Sequence, residues 1–243
     1  MDRIDEVWKK EELARSFLEH IRSAIPMARE QIDIMLRVIR SRVPAGGRFI
    51  DLGCGDGILG RAVHAMYPES TGYFLDFSPT MIDAAREKAG ADDGRLHFLI
   101  SDYAEPQWTA DVAPAAPFDL IVSGLSIHHQ PDARKRAVYR EIYDLLKPGG
   151  LFLNLEHVAP ASGWAETASD ELFIDSLWEF EQRQGTGKTR AEVAESWLTR
   201  TDREANLLSP LDEQCRWLRE IGFADVDGYF RVLEIALFGG IKA

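Results

Sequence analysis

The stretch that decides the fold is Arg48-Phe49-Ile50-Asp51-Leu52-Gly53-Cys54-Gly55-Asp56-Gly57-Ile58-Leu59-Gly60. Arg48-Phe49-Ile50 reads as a short strand running into a glycine-rich turn, and Ile58 to Met66 as a helix. Closely spaced glycines between a strand and a helix let main chain come up against a ligand at the helix N-terminus. Outward from this unit, strand and helix alternate. Gly72 to Leu75 is a second strand, and Ser78-Pro79 offers an N-cap and a first-turn proline for a helix through Lys88. Leu96 to Ile100 and Phe118 to Val122 are the third and fourth strands. Asp132 is placed as the cap of a helix whose apolar side is Val138, Ile142 and Leu145, stopped by Lys147-Pro148-Gly149-Gly150. Leu151 to Leu155 is the fifth strand. Short apolar strands separated by helices predict a parallel sheet covered on both faces.

The flanks read differently. In the first 45 residues Val7-Trp8, Leu13, Phe17 and Ile21 recur at helical spacing, Pro26 interrupts, and a second helical run through Ile39 ends at Pro44-Ala45-Gly46-Gly47. Residues 161–209 carry three tryptophans, many charges and no strand signal, which predicts a helical insertion. After a helix from Leu211 to Glu220 come strand-like runs around Val226 to Val232 and Ile235 to Lys242. They are joined too tightly for a crossover helix, so they pair as an antiparallel hairpin or lie apart.

At 243 residues the chain is expected to form one α/β domain, residues 1–243, with residues 1–45 and 161–209 as its cap. The formal net charge of −12 repels phosphate backbones, so nucleic acid is disfavoured as a partner. Two cysteines, Cys54 and Cys215, without CxxC spacing support neither a disulfide framework nor a zinc site, and no metal is expected. The opening Met-Asp-Arg-Ile-Asp-Glu lacks a signal-peptide pattern, and no apolar run approaches the roughly 20 residues of a membrane span. A cytoplasmic location is the expectation; the oligomeric state, homodimer included, is left open.

The glycine loop is ambiguous by itself. Gly55-Asp56-Gly57-Ile58-Leu59-Gly60 also spells the dinucleotide pattern GxGxxG, with Asp76 at the distance of a ribose-binding acid. Three features favour another cofactor. Asp51, two residues before the first glycine, suits an ammonium group and opposes a pyrophosphate. Asp102 at the end of strand 3 supplies a second carboxylate beside Asp76. Lys147-Pro148-Gly149-Gly150 and the terminal pair of strands have no place in the dinucleotide pattern.

FIDLGCGDG, GYFLDFSPTMIDAARE, FLISDYAEP, FDLIVSGLSIHH and LLKPGGLFLNLEHV together resemble, in order and spacing, the successive motifs of class I S-adenosylmethionine-dependent methyltransferases. The resemblance implies a Rossmann-like α/β fold. Its seven-stranded sheet has order 3-2-1-4-5-7-6, with strand 7 antiparallel, helices on both faces and a helical cap. It implies S-adenosylmethionine as cofactor. Gly53, Cys54 and Gly55 would face its methionine part with Asp51 nearby, Asp76 would bind the ribose, and Phe77 and Met81 would pack on adenine. Asp102 and the main chain of Tyr103 would meet the adenine edge, and Ser123 and Gly124 the methionine part. Cys54 reads as packing between glycines rather than as a nucleophile.

Methyl transfer from a sulfonium is an in-line displacement, so the protein mainly orients the acceptor, with a base needed for acceptors that hold a tightly bound proton. His129 is the candidate base, ahead of His128, Glu156 and His157 at neighbouring strand tips; adjacent residues usually point apart. Trp8, Phe17, Trp164, Trp178, Trp197, Tyr229 and Arg231 are candidates for the acceptor pocket. The flanks Arg22-Ser23-Ala24-Ile25-Pro26 and Asn206-Leu207-Leu208-Ser209-Pro210 are similar to those of carboxy-S-adenosylmethionine synthase relatives and of ubiquinone-type methyltransferases. In that synthase an arginine just upstream of the second segment binds the cofactor's extra carboxylate; Arg200 and Arg203 lie close, but neither falls squarely on that position. The Ser-Ile-His-His run favours the methyltransferases, and a small-molecule acceptor. The alternatives are a synthase-like enzyme and a non-catalytic S-adenosylmethionine-binding protein.

Overall fold

A computed structural model describes residues 3–14, 24–43, 47–90 and 94–243. Its centre is a seven-stranded sheet in the order β3-β2-β1-β4-β5-β7-β6. The strands are β1 (Arg48–Leu52), β2 (Thr71–Asp76), β3 (Leu96–Ile100), β4 (Phe118–Gly124), β5 (Leu146–His157), β6 (Phe223–Val232) and β7 (Ile235–Lys242). The first five run parallel, whereas β7 lies antiparallel to both β5 and β6. Of the two arrangements open to the terminal strands, the hairpin is the one formed, and β7 inserts between β5 and β6.

Consecutive residues feed opposite faces of the sheet. Phe49, Leu151, Leu153 and Leu155 enter one core, packed by α1 (Ala28–Arg42), α2 (Ile58–Met66) and α3 (Pro79–Ala89). Ile50, Leu52, Ile121 and Phe152 enter the other, covered by α4 (Trp108–Val112), α5 (Asp132–Leu145) and α8 (Leu211–Ile221). A sheet buried on both faces explains why its strands read as continuous apolar runs. The last glycine of the loop unit serves packing: a Cβ on Gly60 would come 2.4 Å from Phe74 Cε1, so α2 sits directly on β2. Gly60→Ala is expected to destabilise the fold by about 1–3 kcal/mol, read as a fall in melting temperature of several degrees.

Several element ends differ from expectation. β5 starts at Leu146, so Lys147-Pro148-Gly149-Gly150 lies inside an irregular strand start, with a register shift against β4 between Phe118 and Leu120. Pro131, not Asp132, is the cap of α5; the Asp132 carboxylate instead accepts from Ser209 Oγ (2.6 Å) and Lys135 Nζ (3.2 Å). Ser78 caps α3 by position only, its main-chain N–H donating to Asp76 Oδ1 at 2.9 Å. Near the N-terminus Ile4–Lys9 form a 3-10 helix. Its i, i+3 spacing puts Asp5 and Trp8 on one side. Phe17, Ile21 and Pro44-Ala45-Gly46 lie outside the described residues. The 161–209 segment is helical as expected, as α6 (Gly163–Gln184) and α7 (Arg190–Leu198).

Candidate active site

The parallel strands end at a cavity that opens to solvent. Its floor is the glycine loop. Gly53 has a φ of +65°, and a Cβ there would fall 1.9 Å from Ser126 Oγ, so only glycine fits between the loop and the tip of β4. Asp51, at the end of β1, is almost fully buried, accepts from Gly60 N at 2.8 Å and lines the cavity. Asp76, at the end of β2, accepts from Gly55 N and Ser78 N, each at 2.9 Å. Burial nevertheless pushes its carboxyl up to about 6.

Asp102 follows β3, and its Oδ1 accepts from Ala104 N at 3.0 Å while Oδ2 accepts from Arg3 at 2.7 Å. Arg3 also reaches Asp5, which takes Gln130 Nε2 at 2.8 Å, so the N-terminal segment is tied across the cavity mouth. Phe77, Met81, Tyr103 and Gly124 line the same space, as do Gly53, Cys54 and Gly55. Ser123 does not line it: the side chain is buried in the sheet and donates to Leu52 O at 2.8 Å. Cys54 is buried, and both burial and the charge of Asp51 raise its thiol pKa, which keeps it an unreactive thiol.

The other end of the cavity is built by His128, His129, His157, Phe173, Trp197, Arg200, Asp202 and Asn206 with Trp8. The two adjacent histidines do not point apart. They occupy a 3-10 turn, Ile127–His129, their rings are 3.9 Å apart between centroids, and both face the cavity. His129 Nδ1 donates to Ala205 O at 2.9 Å, and Trp8 packs 5.6 Å from the ring. Burial, and next the neighbouring His128, lower His129 to about 3, so it is neutral near pH 7. Glu156 lies behind the pair, accepting from His128 N at 3.0 Å and from His128 Nδ1 at 2.6 Å. Burial raises the Glu156 pKa and lowers that of His128.

Of the aromatic and basic candidates, Trp8 and Trp197 reach the cavity. Trp164 is 79% exposed, Trp178 packs against the core, Tyr229 and Arg231 lie on β6 away from the site, and Phe17 lies outside the described residues. Trp197 is held by Asp170 (2.7 Å from Nε1), stacks on Phe173 at 4.7 Å and carries the Arg200 guanidinium 3.6 Å above its ring. Arg203 turns instead to Asp170 and Glu166. Asp5, Gln130, Phe173, Asp202 and Asn206 escaped the sequence reading. Asn206 sat in a quoted flank, but the others belong to segments with no motif to single them out.

Six aspartates line the cavity, against one arginine or lysine among the described residues, Arg200. A pyrophosphate is poorly served there, while an adenosine carrying a sulfonium and an ammonium is well matched. With a carboxylate at the tip of β2, exposed loop main chain and a reversed β7, fold and site fit an S-adenosylmethionine-dependent enzyme. Residues 49–150 match the family model described as a methyltransferase domain. Over 250 residues the chain is 26% identical to carboxy-S-adenosyl-L-methionine synthase of Chromohalobacter salexigens, covering 100% of this chain and 86% of the relative. Over 116 residues it is 38% identical to trans-aconitate 2-methyltransferase of Streptomyces avermitilis, covering 46% and 40%. The structure of an O-methyltransferase family protein from Burkholderia thailandensis superposes with a TM-score of 0.60 at 20% identity, covering 99% of this chain and 70% of that one. Residues 49–150 thus carry a methyltransferase domain, and along its whole length the chain is similar to an S-adenosylmethionine-using enzyme on a methyltransferase-like fold. No helix among the described residues is long and apolar enough to cross a membrane.

Proposed function

We propose that the enzyme methylates a proton-bearing small molecule, with His129 receiving the acceptor's proton. The observation carrying this reading is the Nδ1–H bond of His129 to Ala205 O, 2.9 Å. It leaves Nε2 as the unprotonated nitrogen of a ring that shares its cavity with the glycine loop. In this reading Asp76 accepts from the ribose hydroxyls. Gly53, Cys54, Gly55 and Gly124 border the methionine arm with Asp51, Phe77 and Met81 pack on adenine, and Asp102 with the main chain of Tyr103 takes its edge. Ser123 contributes from inside the sheet, fixing the Leu52 carbonyl and so the strand that delivers the loop. Residues 1–243 act as one domain, with the N-terminal segment and residues 161–209 closing over the site. We place it in the cytoplasm, where the free thiols Cys54 and Cys215 stay reduced.

When bound, the cofactor supplies an electrophilic methyl group and a neutral thioether leaving group. The acceptor's X–H bond breaks toward His129 Nε2 as the new X–methyl bond forms. A histidine held near a pKa of about 3 can still serve, because the charge balance changes during the reaction. Protonating His129 adds a positive charge to the cavity in the event that removes one, so the net charge is unchanged. Glu156 and Asp5 favour the imidazolium. The aromatic walls limit access of water, and the continuation of one cavity from the glycine loop to the histidines supports a place for an acceptor beside the cofactor, against a purely cofactor-binding role.

Arg200 favours acceptors that carry a carboxylate. Arg200→Gln is expected to raise KM for such an acceptor about tenfold or more with kcat little changed, a charge-assisted hydrogen bond being lost. An acceptor screen following S-adenosylhomocysteine release tests the main reading; turnover with RNA or protein and with no small molecule would sink it. The full-length similarity supports a second reading, a synthase that carboxylates the cofactor. Mass spectrometry of cofactor retained through purification separates the two, since an ion heavier by one carboxylate belongs to the second alone.

A further inference from the structure

Lys135 lies in the first turn of α5 with its side chain fully buried, outside the cavity. Its ammonium donates to Asp132 Oδ1 at 3.2 Å and, at closer range, to the Leu207 carbonyl and Ser209 Oγ. These are three acceptors for three protons. Desolvating an ammonium is costly, and an apolar side chain of similar length would fill the space with less penalty. What the charge secures is one particular course of the segment 205–209. That segment supplies the carbonyl of Ala205 to His129 Nδ1, and the N–H of Leu207 to His128 O at 3.0 Å. Ser209 Oγ also donates to Asp132, so the clamp closes on itself.

We infer that Lys135 is a positioning residue for methyl transfer: by clamping residues 207 and 209 it holds the Ala205 carbonyl against His129, and so selects the tautomer whose Nε2 is free to take a proton. The inference rests on the base role given to His129 above. A carbonyl can only accept, so His129 keeps its proton on Nδ1 while Ala205 stays in place. Once the segment drifts, nothing else bonded to the ring among the described residues imposes that choice.

The test is nitrogen NMR of histidine-labelled protein with S-adenosylhomocysteine bound, the His129 signals being identified by their loss in His129→Gln. In the wild type the Nδ1-protonated form should dominate by about tenfold or more, as one retained hydrogen bond requires. In Lys135→Met the two forms should become comparable, with S-adenosylhomocysteine affinity by calorimetry within about threefold of wild type. Asp132→Ala, at a mostly exposed position, loosens the same clamp and should move the ratio the same way by less; it covers the case in which Lys135→Met does not fold. An unchanged tautomer ratio in folded Lys135→Met, or in Asp132→Ala if that is the variant that folds, overturns the inference. A shifted ratio with undiminished turnover supports the clamp and removes the base role from His129 instead, so the two failures are distinguishable.

Discussion

Asp76→Ala is expected to cost about 1.5–3 kcal/mol of cofactor affinity, roughly 10- to 150-fold, because charge-assisted bonds from two ribose hydroxyls are lost together. Calorimetry with S-adenosylhomocysteine reads this directly, and affinity within twofold of wild type would mean the ribose lies elsewhere. The wild type should show a matching pH dependence. With the free-protein carboxyl at about 6, protonation competes with the hydroxyl donors below that value. Affinity should be level above about pH 6 and fall toward tenfold per pH unit beneath it. Without cofactor the sign reverses: the folded carboxyl holds its proton more tightly than the ordinary 3.8, so stability declines as pH rises from about 4 to about 6.

His129→Gln is expected to lower kcat by about 10²- to 10⁴-fold, the usual span for removing a positioned base, while leaving cofactor affinity nearly unchanged. Glutamine can still meet the Ala205 carbonyl but cannot take a proton. Equal losses in kcat and in S-adenosylhomocysteine binding would mark a structural role. An acceptor whose nucleophile carries no proton, such as a tertiary amine or a thiolate, should be spared the loss. Comparing acceptors of the two kinds separates proton transfer from orientation.

The glycine-loop end of the cavity was legible because its residues sit at strand ends within one ordered run, from Asp51 through Asp76 and Asp102 to Gly124. Strand ends in a parallel sheet converge, so sequence position already implies spatial position. Ser123 shows the limit: the alternation along β4 turns it into the sheet, one residue short of the cavity. The histidine end was largely hidden. Phe173 and Asn206 meet there from separate segments of the chain, and no local pattern announces such a meeting. Trp164 and Trp197 looked alike as tryptophans of one helical insertion, yet one is solvated and the other stacks in the site. The paired histidines were half legible; that both face the cavity follows from a 3-10 turn, whose periodicity differs from that of a strand or an α-helix.

The tie from Arg3 to Asp102 has a consequence for how the molecule would age under selection. The carboxylate that would greet adenine is shared with Arg3, so the wall above the donor's purine would be furnished by a segment outside the sheet. Segments that run over the surface accept substitution more readily than buried strands. A lineage could therefore retune how long it holds its spent donor, and with it the pace of turnover, by editing a few residues around Arg3 while every strand and glycine beneath stayed as it was.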